Sequence, residues 1–146
     1  MIDSDDPLHT TATDLRLATF RLARRLRRER ADDAVSDAQF AVLACLKMNG
    51  RLSLGELAQR ERVTAPTMSS TVTALLEEGY VTRVQDEQDR RRVQVDITDA
   101  GVAVVTATVR KRDAALVDAL AQFDFTADEL RTLREASALM RKVAER

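Results

Sequence analysis

The chain has very little of what most enzyme and metal chemistry needs. It holds one histidine, His9, and one cysteine, Cys45. One residue of each kind cannot supply a zinc site. A lone histidine in a polar N-terminal stretch gives triad or acid–base chemistry no home. A single thiol excludes an internal disulfide and gives no sign of an oxidising compartment. Cys45 falls on the inner side of a helical segment and reads as a small buried residue rather than a redox centre. The four glycines form no phosphate-binding loop. No apolar run approaches ~18 residues, which excludes a membrane span. The opening MIDSDDPLHT is acidic and polar, the wrong chemistry for a secretory signal. These absences point to a cytoplasmic protein that is not an enzyme and carries no cofactor or metal.

What is present suits a soluble globular domain. Hydrophobic residues make up 45% and charged residues 32% of 146 positions, enough for one real core. The formal net charge is −1, so the placement of charge matters more than its sum. Residues 16–30 hold seven arginines against one glutamate, and positions 90–92 are all arginine. The first run reads as the solvated face of a helix whose stems pack on apolar neighbours; raising the potential on a nucleic-acid side is the other reading.

Apolar spacing predicts a long first helix over 8–31, with Leu15, Ala18, Leu22 and Leu26 in register. Ser36 and Gln39 form a capping box that opens a second helix, with Phe40, Leu43 and Leu46 inward and an end near Asn49 and Gly50. Ser53 and Glu56 form another, opening a short helix over about 53–60. Thr64 caps a fourth helix over about 64–78; Pro66 lies in its first turn, where a missing N–H costs nothing. Gly79 then supplies a left-handed stop. YVTRV and RVQVDI are strand-like runs separated by a polar tip at 85–91, which makes a hairpin. Thr98 caps a fifth helix reaching about Gln122, and Thr126 with Glu129 opens the last. The expected fold is mainly α with a small β-hairpin, an α+β arrangement in the order α-α-α-α-β-β-α-α.

The third and fourth helices, joined by a tight turn, read as a helix-turn-helix. On a wheel, Met68, Val72, Leu75 and Leu76 share the buried arc of the fourth. Opposite lie Pro66, Thr67, Ser70, Thr73 and Glu77, with Ser69 on the flank. Short hydroxyls let a helix backbone approach a groove floor and bond phosphates or base edges. A helix-turn-helix followed by a hairpin is a winged helix. Its tip, DEQDRRR, packs Asp86, Glu87 and Asp89 against Arg90, Arg91 and Arg92. Arginine suits a narrow minor groove, where negative potential concentrates. The acids would hold the arginine stems in place. A second reading makes the winged helix a protein-docking module, but a docking face would want exposed aromatics or leucines, and this one has none.

The run from Leu52 to Gly101 resembles the DNA-binding core of the MarR family of bacterial transcriptional regulators. Three motifs carry the resemblance. The wing's Asp-x-Arg is present as Asp89, Arg90, Arg91. The strand-to-helix ending is Ile97, Thr98, Asp99, Ala100, Gly101. The helix-to-strand junction is Leu76, Glu77, Glu78, Gly79, Tyr80, Val81, Thr82, Arg83. The flanking helices agree in number, length and order, so the whole chain reads as one MarR-like domain: a winged lobe at 36–98, and dimerisation helices at 8–31 and 99–146.

The resemblance implies a repressor that binds a palindromic double-stranded DNA site as a homodimer. Thr64, Pro66, Thr67, Ser69, Ser70 and Thr73 would face the major groove. Arg91 would be the minor-groove arginine, flanked by Arg90 and Arg92, with Asp89 as its organiser. One position departs: many relatives carry a long polar residue where Ser70 stands, so base readout here would lean less on arginine. A small amphipathic or phenolic effector is implied, with a candidate cleft lined by Leu17, Phe20, Arg21, Leu43 and Met48. The apolar lengths of the terminal helices point the same way, since a small lobe cannot bury Val102, Val105, Val109, Leu116, Leu120, Leu130, Leu133 and Leu139 together.

Overall fold

The computed structural model describes residues 6–28, 34–86, 88–89 and 92–145. Among the described residues, six helices and three strands follow in the order α1 (Pro7–Arg28), α2 (Asp37–Asn49), β1 (Leu52–Ser53), α3 (Leu54–Arg60), α4 (Ala65–Glu77), β2 (Val81–Gln85), β3 (Val93–Ile97), α5 (Asp99–Ala121) and α6 (Ala127–Ala144). The helix expected over 8–31 is described as far as Arg28; residues 29–33 lie outside the described residues. By internal contacts the chain divides into two compact units, one of residues 27–111 and one of 1–26 with 112–146.

The first unit is a winged lobe built around one core. Val42, Leu43 and Leu46 of α2, Leu57 of α3, and Met68, Val72 and Leu75 of α4 are buried with Val81 and Val95 of the strands and Val105 of α5. Side chains enclosed to this degree each stabilise the fold by roughly 1.5–3 kcal/mol relative to exposure. Local chemistry sets the ends of the helices. Ser36 with Gln39 and Ser53 with Glu56 each make a reciprocal capping box. At the end of α4, Gly79 takes φ +75°, the Gly79 N–H donates to the Leu76 carbonyl and the Tyr80 N–H to the Leu75 carbonyl. That pair of bonds is a Schellman stop, and it turns the chain into β2.

The hairpin belongs to a three-stranded antiparallel sheet in the order β1-β3-β2. β3 is central, pairing Val95 with Leu52 on one side and with Arg83 on the other. β1 was not foreseen because it is two residues long and its Ser53 also caps α3. Arg51 anchors it, its Nε 2.7 Å from Oδ2 of Asp96.

The base of the wing is sewn to α5 by one threonine. The Thr98 N–H donates to the Tyr80 carbonyl (3.1 Å), its hydroxyl donates to the Gly79 carbonyl (2.8 Å), and the same oxygen accepts from the Gly101 N–H (3.1 Å). A Cβ on Gly101 would lie 2.2 Å from the Tyr80 carbonyl oxygen. Glycine is therefore needed at the end of the Thr98-to-Gly101 motif for close approach rather than for turning.

The second unit contains α1, the later part of α5, and α6. None of the described residues of α1 or α6 is buried. Ala119 is the one buried residue among the described residues of this unit. Leu8, Phe20, Val117, Leu139 and Val143 are all more than half exposed. α1 and the end of α5 are linked by an Arg25 Nη2 to Gln122 Oε1 bond (3.2 Å). An apolar groove is lined by Leu15 and Thr19 of α1 and by Met140 and Val143 of α6. Among the described residues, no helix is long and apolar enough to cross a membrane.

Candidate nucleic-acid interface

α3 and α4 are joined by a turn in which Arg62 takes φ +53°, a left-handed conformation uncommon for a side-chain-bearing residue. The Val63 N–H returns to the Ala58 carbonyl at 3.0 Å. Thr64 caps α4: its Oγ1 accepts from the Thr67 N–H at 3.4 Å and lies 2.8 Å from the Thr67 hydroxyl. Pro66 stands in the first turn. Met68, Val72 and Leu75 are buried beneath the helix, while Pro66, Thr67, Ser69, Ser70 and Thr73 are exposed. The structure thus brings Thr64 and Thr67 together at the start of one open face. Ser69, Ser70 and Thr73 continue that face without a long side chain. Thr71 differs, being half-buried with its hydroxyl turned back to the Thr67 carbonyl at 3.1 Å.

At the wing, Arg92 and Asp89 are exposed, whereas Glu87, Arg90 and Arg91 lie outside the described residues. The Asp86 N–H donates to the Arg92 carbonyl (3.0 Å), and the Arg92 N–H donates to the Asp89 carbonyl (2.8 Å). The Asp86 carboxylate was expected to hold arginine stems, but it faces backbone instead. Its Oδ1 accepts from the N–H groups of Gln88 (2.8 Å) and Asp89 (3.2 Å), and its Oδ2 from Gln94 Nε2 (3.2 Å). The Gln88 and Asp89 N–H bonds, with Arg92 adding its charge, hold this carboxyl below the ordinary aspartate range. Sequence reasoning named Asp86 among the acids of the tip but missed these backbone bonds. Its signal was an Asp at a strand end followed two residues on by polar tip backbone, the pattern of an Asx-turn.

Two other groups bear on the chemistry. Bonds from the Ser53 backbone and hydroxyl hold the Glu56 carboxyl below its ordinary value, and Arg60 and Arg92 add to this. Cys45 is half-buried. Burial, and then Glu61, push its thiol up, against smaller opposing effects of Arg60 and Asn49. A raised thiol is a poor nucleophile. Of the residues named for an effector cleft, Leu17, Phe20 and Arg21 are exposed on α1 and Met48 is 85% exposed on α2. Leu43 is different. At 0% exposure it is enclosed in the lobe core and offers a ligand no surface.

The family model described as MarR family matches residues 35–93. An HTH-type transcriptional regulator of Mycobacterium tuberculosis is 36% identical over 140 residues, covering 96% of this chain and 94% of that one. The HTH-type transcriptional repressor MdtR of Bacillus subtilis is 33% identical over 67 residues, 46% of this chain and 43% of that protein. The structure of a MarR family protein from Bacillus stearothermophilus shares the fold with a TM-score of 0.79. It is 22% identical and covers 95% of this chain and 96% of that one. An exposed hydroxyl face on a helix-turn-helix, a wing beside it and kinship over nearly the whole of the given sequence converge: the chain belongs to the MarR family and is a DNA-binding transcriptional regulator, not an enzyme.

Proposed function

We propose that this regulator is a cytoplasmic homodimer that represses by occupying a palindromic operator. The observation that carries the reading is the open face of α4, where Pro66, Thr67, Ser69, Ser70 and Thr73 are exposed over a buried apolar arc. Short side chains let the helix settle deep in a major groove, with Thr64 and Thr67 at its leading end. Arg90, Arg91 and Arg92 reach the neighbouring minor groove, where guanidinium groups are favoured by the concentrated potential. Asp89 flanks them as the first residue of the Asp-x-Arg motif.

Dimerisation supplies what α1 and α6 lack in a single chain, since neither buries a residue. Covering Leu15, Leu130, Leu133 and Leu139 with their counterparts removes apolar surface from water. Two-fold symmetry then sets the recognition helices about 34 Å apart on a palindrome. Repression fits a protein that blocks promoter access, and one relative carries the name repressor. A small amphipathic or phenolic effector would release DNA by binding better to a lobe spacing that does not fit it. Leu17, Phe20, Arg21 and Met48 are its candidate contacts; Leu43 is enclosed in the lobe core.

The test is fluorescence anisotropy on a duplex that the protein itself enriches from a randomised library, measured over a salt series against a shuffled duplex. A specific regulator binds the enriched duplex with log K falling linearly in log salt, by ~0.9 for each phosphate neutralised. Thr67→Ala and Ser70→Ala should change the ranking of operator variants more than the affinity for shuffled DNA. Equal binding to both duplexes would sink the reading.

A further inference from the structure

Asp86 is badly placed for a charge and well placed for an acceptor. On the proposed reading it stands close to DNA phosphates, where a carboxylate weakens binding. Yet its oxygens take three donors: the N–H groups of Gln88 and Asp89, and Nε2 of Gln94 on β3. Its own N–H closes the hairpin onto the Arg92 carbonyl. One side chain thus fastens the backbone immediately before Arg90 to the strand that follows Arg92.

We propose that Asp86 is the positioning residue of the wing, setting the tip backbone from which Arg90, Arg91 and Arg92 reach DNA, and that it acts as a hydrogen-bond acceptor and not as a counter-charge. This rests on the reading in which the wing contacts DNA. The physical basis is entropy: a tip held by its own flank loses less freedom on binding than a loose one.

Two variants remove the same charge and separate the two roles. In Asp86→Asn the Oδ1 acceptor remains for both N–H groups, and the Gln94 amide can turn to offer its oxygen to the new NH2. In Asp86→Ala nothing remains. A purely electrostatic carboxylate predicts that both variants bind the enriched duplex equally, and more tightly than the parent. Positioning predicts that Asp86→Ala binds it roughly tenfold more weakly, while Asp86→Asn stays within about threefold of the parent, Asn being as good an acceptor in such turns. Neither variant should lose affinity for the shuffled duplex.

Arg91→Ala is measured beside them. If it binds the enriched duplex as the parent does, the wing reading itself fails. If it weakens binding while the two Asp86 variants behave alike, positioning by Asp86 alone is overturned. A readout without DNA guards against a merely destabilised variant. The amide protons of Gln88 and Asp89 should shift together with pH, with a midpoint below that of an ordinary aspartate, and should stop doing so in Asp86→Asn. Amide shifts indifferent to pH in the parent protein would overturn the proposal as surely as equal binding by the two variants.

Discussion

The winged lobe and the terminal-helix unit are made from similar helices, yet they bury their apolar residues very differently. In the lobe, α2, α3 and α4 enclose Leu43, Leu57, Met68 and Val72 almost completely. In the other unit, α1 and α6 run for 22 and 18 residues without a buried position. Both helices have apolar residues at helical spacing, and α6 has a capping box as sound as those of the lobe. Regular local structure is therefore not what separates the units. The lobe is a finished core, whereas the apolar stripes of α1 and α6 bury no residue in the single chain; on the proposed dimer reading they are faces for a second copy. Helices of marginal isolated stability draw most of their support from tertiary packing, so the second unit should depend on association and the lobe should not.

The sharpest break of that comparison is a pair of substitutions. Leu57→Ala empties part of the lobe core and should lower stability by about 2–5 kcal/mol, at any protein concentration, as read by urea unfolding. Leu133→Glu places a charge on the stripe of α6, where the residue is 42% exposed in the single chain. In a monomer it would cost almost nothing. On the dimer reading it loses roughly 1.5–3 kcal/mol of burial in each subunit and shifts sedimentation towards the monomer. A Leu133→Glu protein that sediments like the parent would remove the difference between the units.

A smaller effect sharpens the same division. Arg91→Ala belongs to the lobe's function and not to its core. It should weaken binding to the enriched duplex by about 1–3 kcal/mol and leave the sedimentation coefficient and the unfolding midpoint where they were. Loss of the dimer would instead mean that residue 91 serves association, and the line between a DNA-reading unit and a self-associating unit would have been drawn wrongly.

Much of the fold was legible because its signals are local. Ser36 with Gln39, Ser53 with Glu56, and Thr126 with Glu129 are boxes whose two halves lie three residues apart, and all three form. The buried arc of α4 followed from the helical period, and Gly79 from the need for positive φ. What escaped depends on partners distant in sequence or on unusual backbone. β1 exists only because Leu52 meets Val95, and the left-handed Arg62 carries no side-chain signature. The reason for Gly101 is the Tyr80 carbonyl, twenty-one positions away. Leu43 could be read both as core and as cleft, because periodicity says which way a residue faces and not what lies there. At the wing the charge run was legible, but the backbone bonds of Asp86 were not. Composition pairs Asp86 with arginine charge, whereas its Oδ1 takes the N–H groups of Gln88 and Asp89.

The finest test compares the two capping boxes within the lobe, which differ in a single atom pair. Gln39 returns a neutral amide oxygen to the Ser36 N–H at 2.8 Å, and Glu56 returns a carboxylate to the Ser53 N–H at the same distance. The carboxyl of Glu56 is held below its ordinary value by that bond, so its contribution has a sign in pH. It is fully present above the unfolded glutamate value of ~4.3 and is lost as pH falls through the lowered folded value. Glu56→Gln keeps an acceptor in the box and removes the titration. At pH 7 the parent should melt slightly higher than the variant, because a charged acceptor bonds more strongly than a neutral one. Below the folded value the difference should vanish, because a protonated Glu56 is itself a neutral acceptor. Melting temperatures whose difference does not close as the pH is lowered would show that the α3 box works through geometry alone, as the α2 box must.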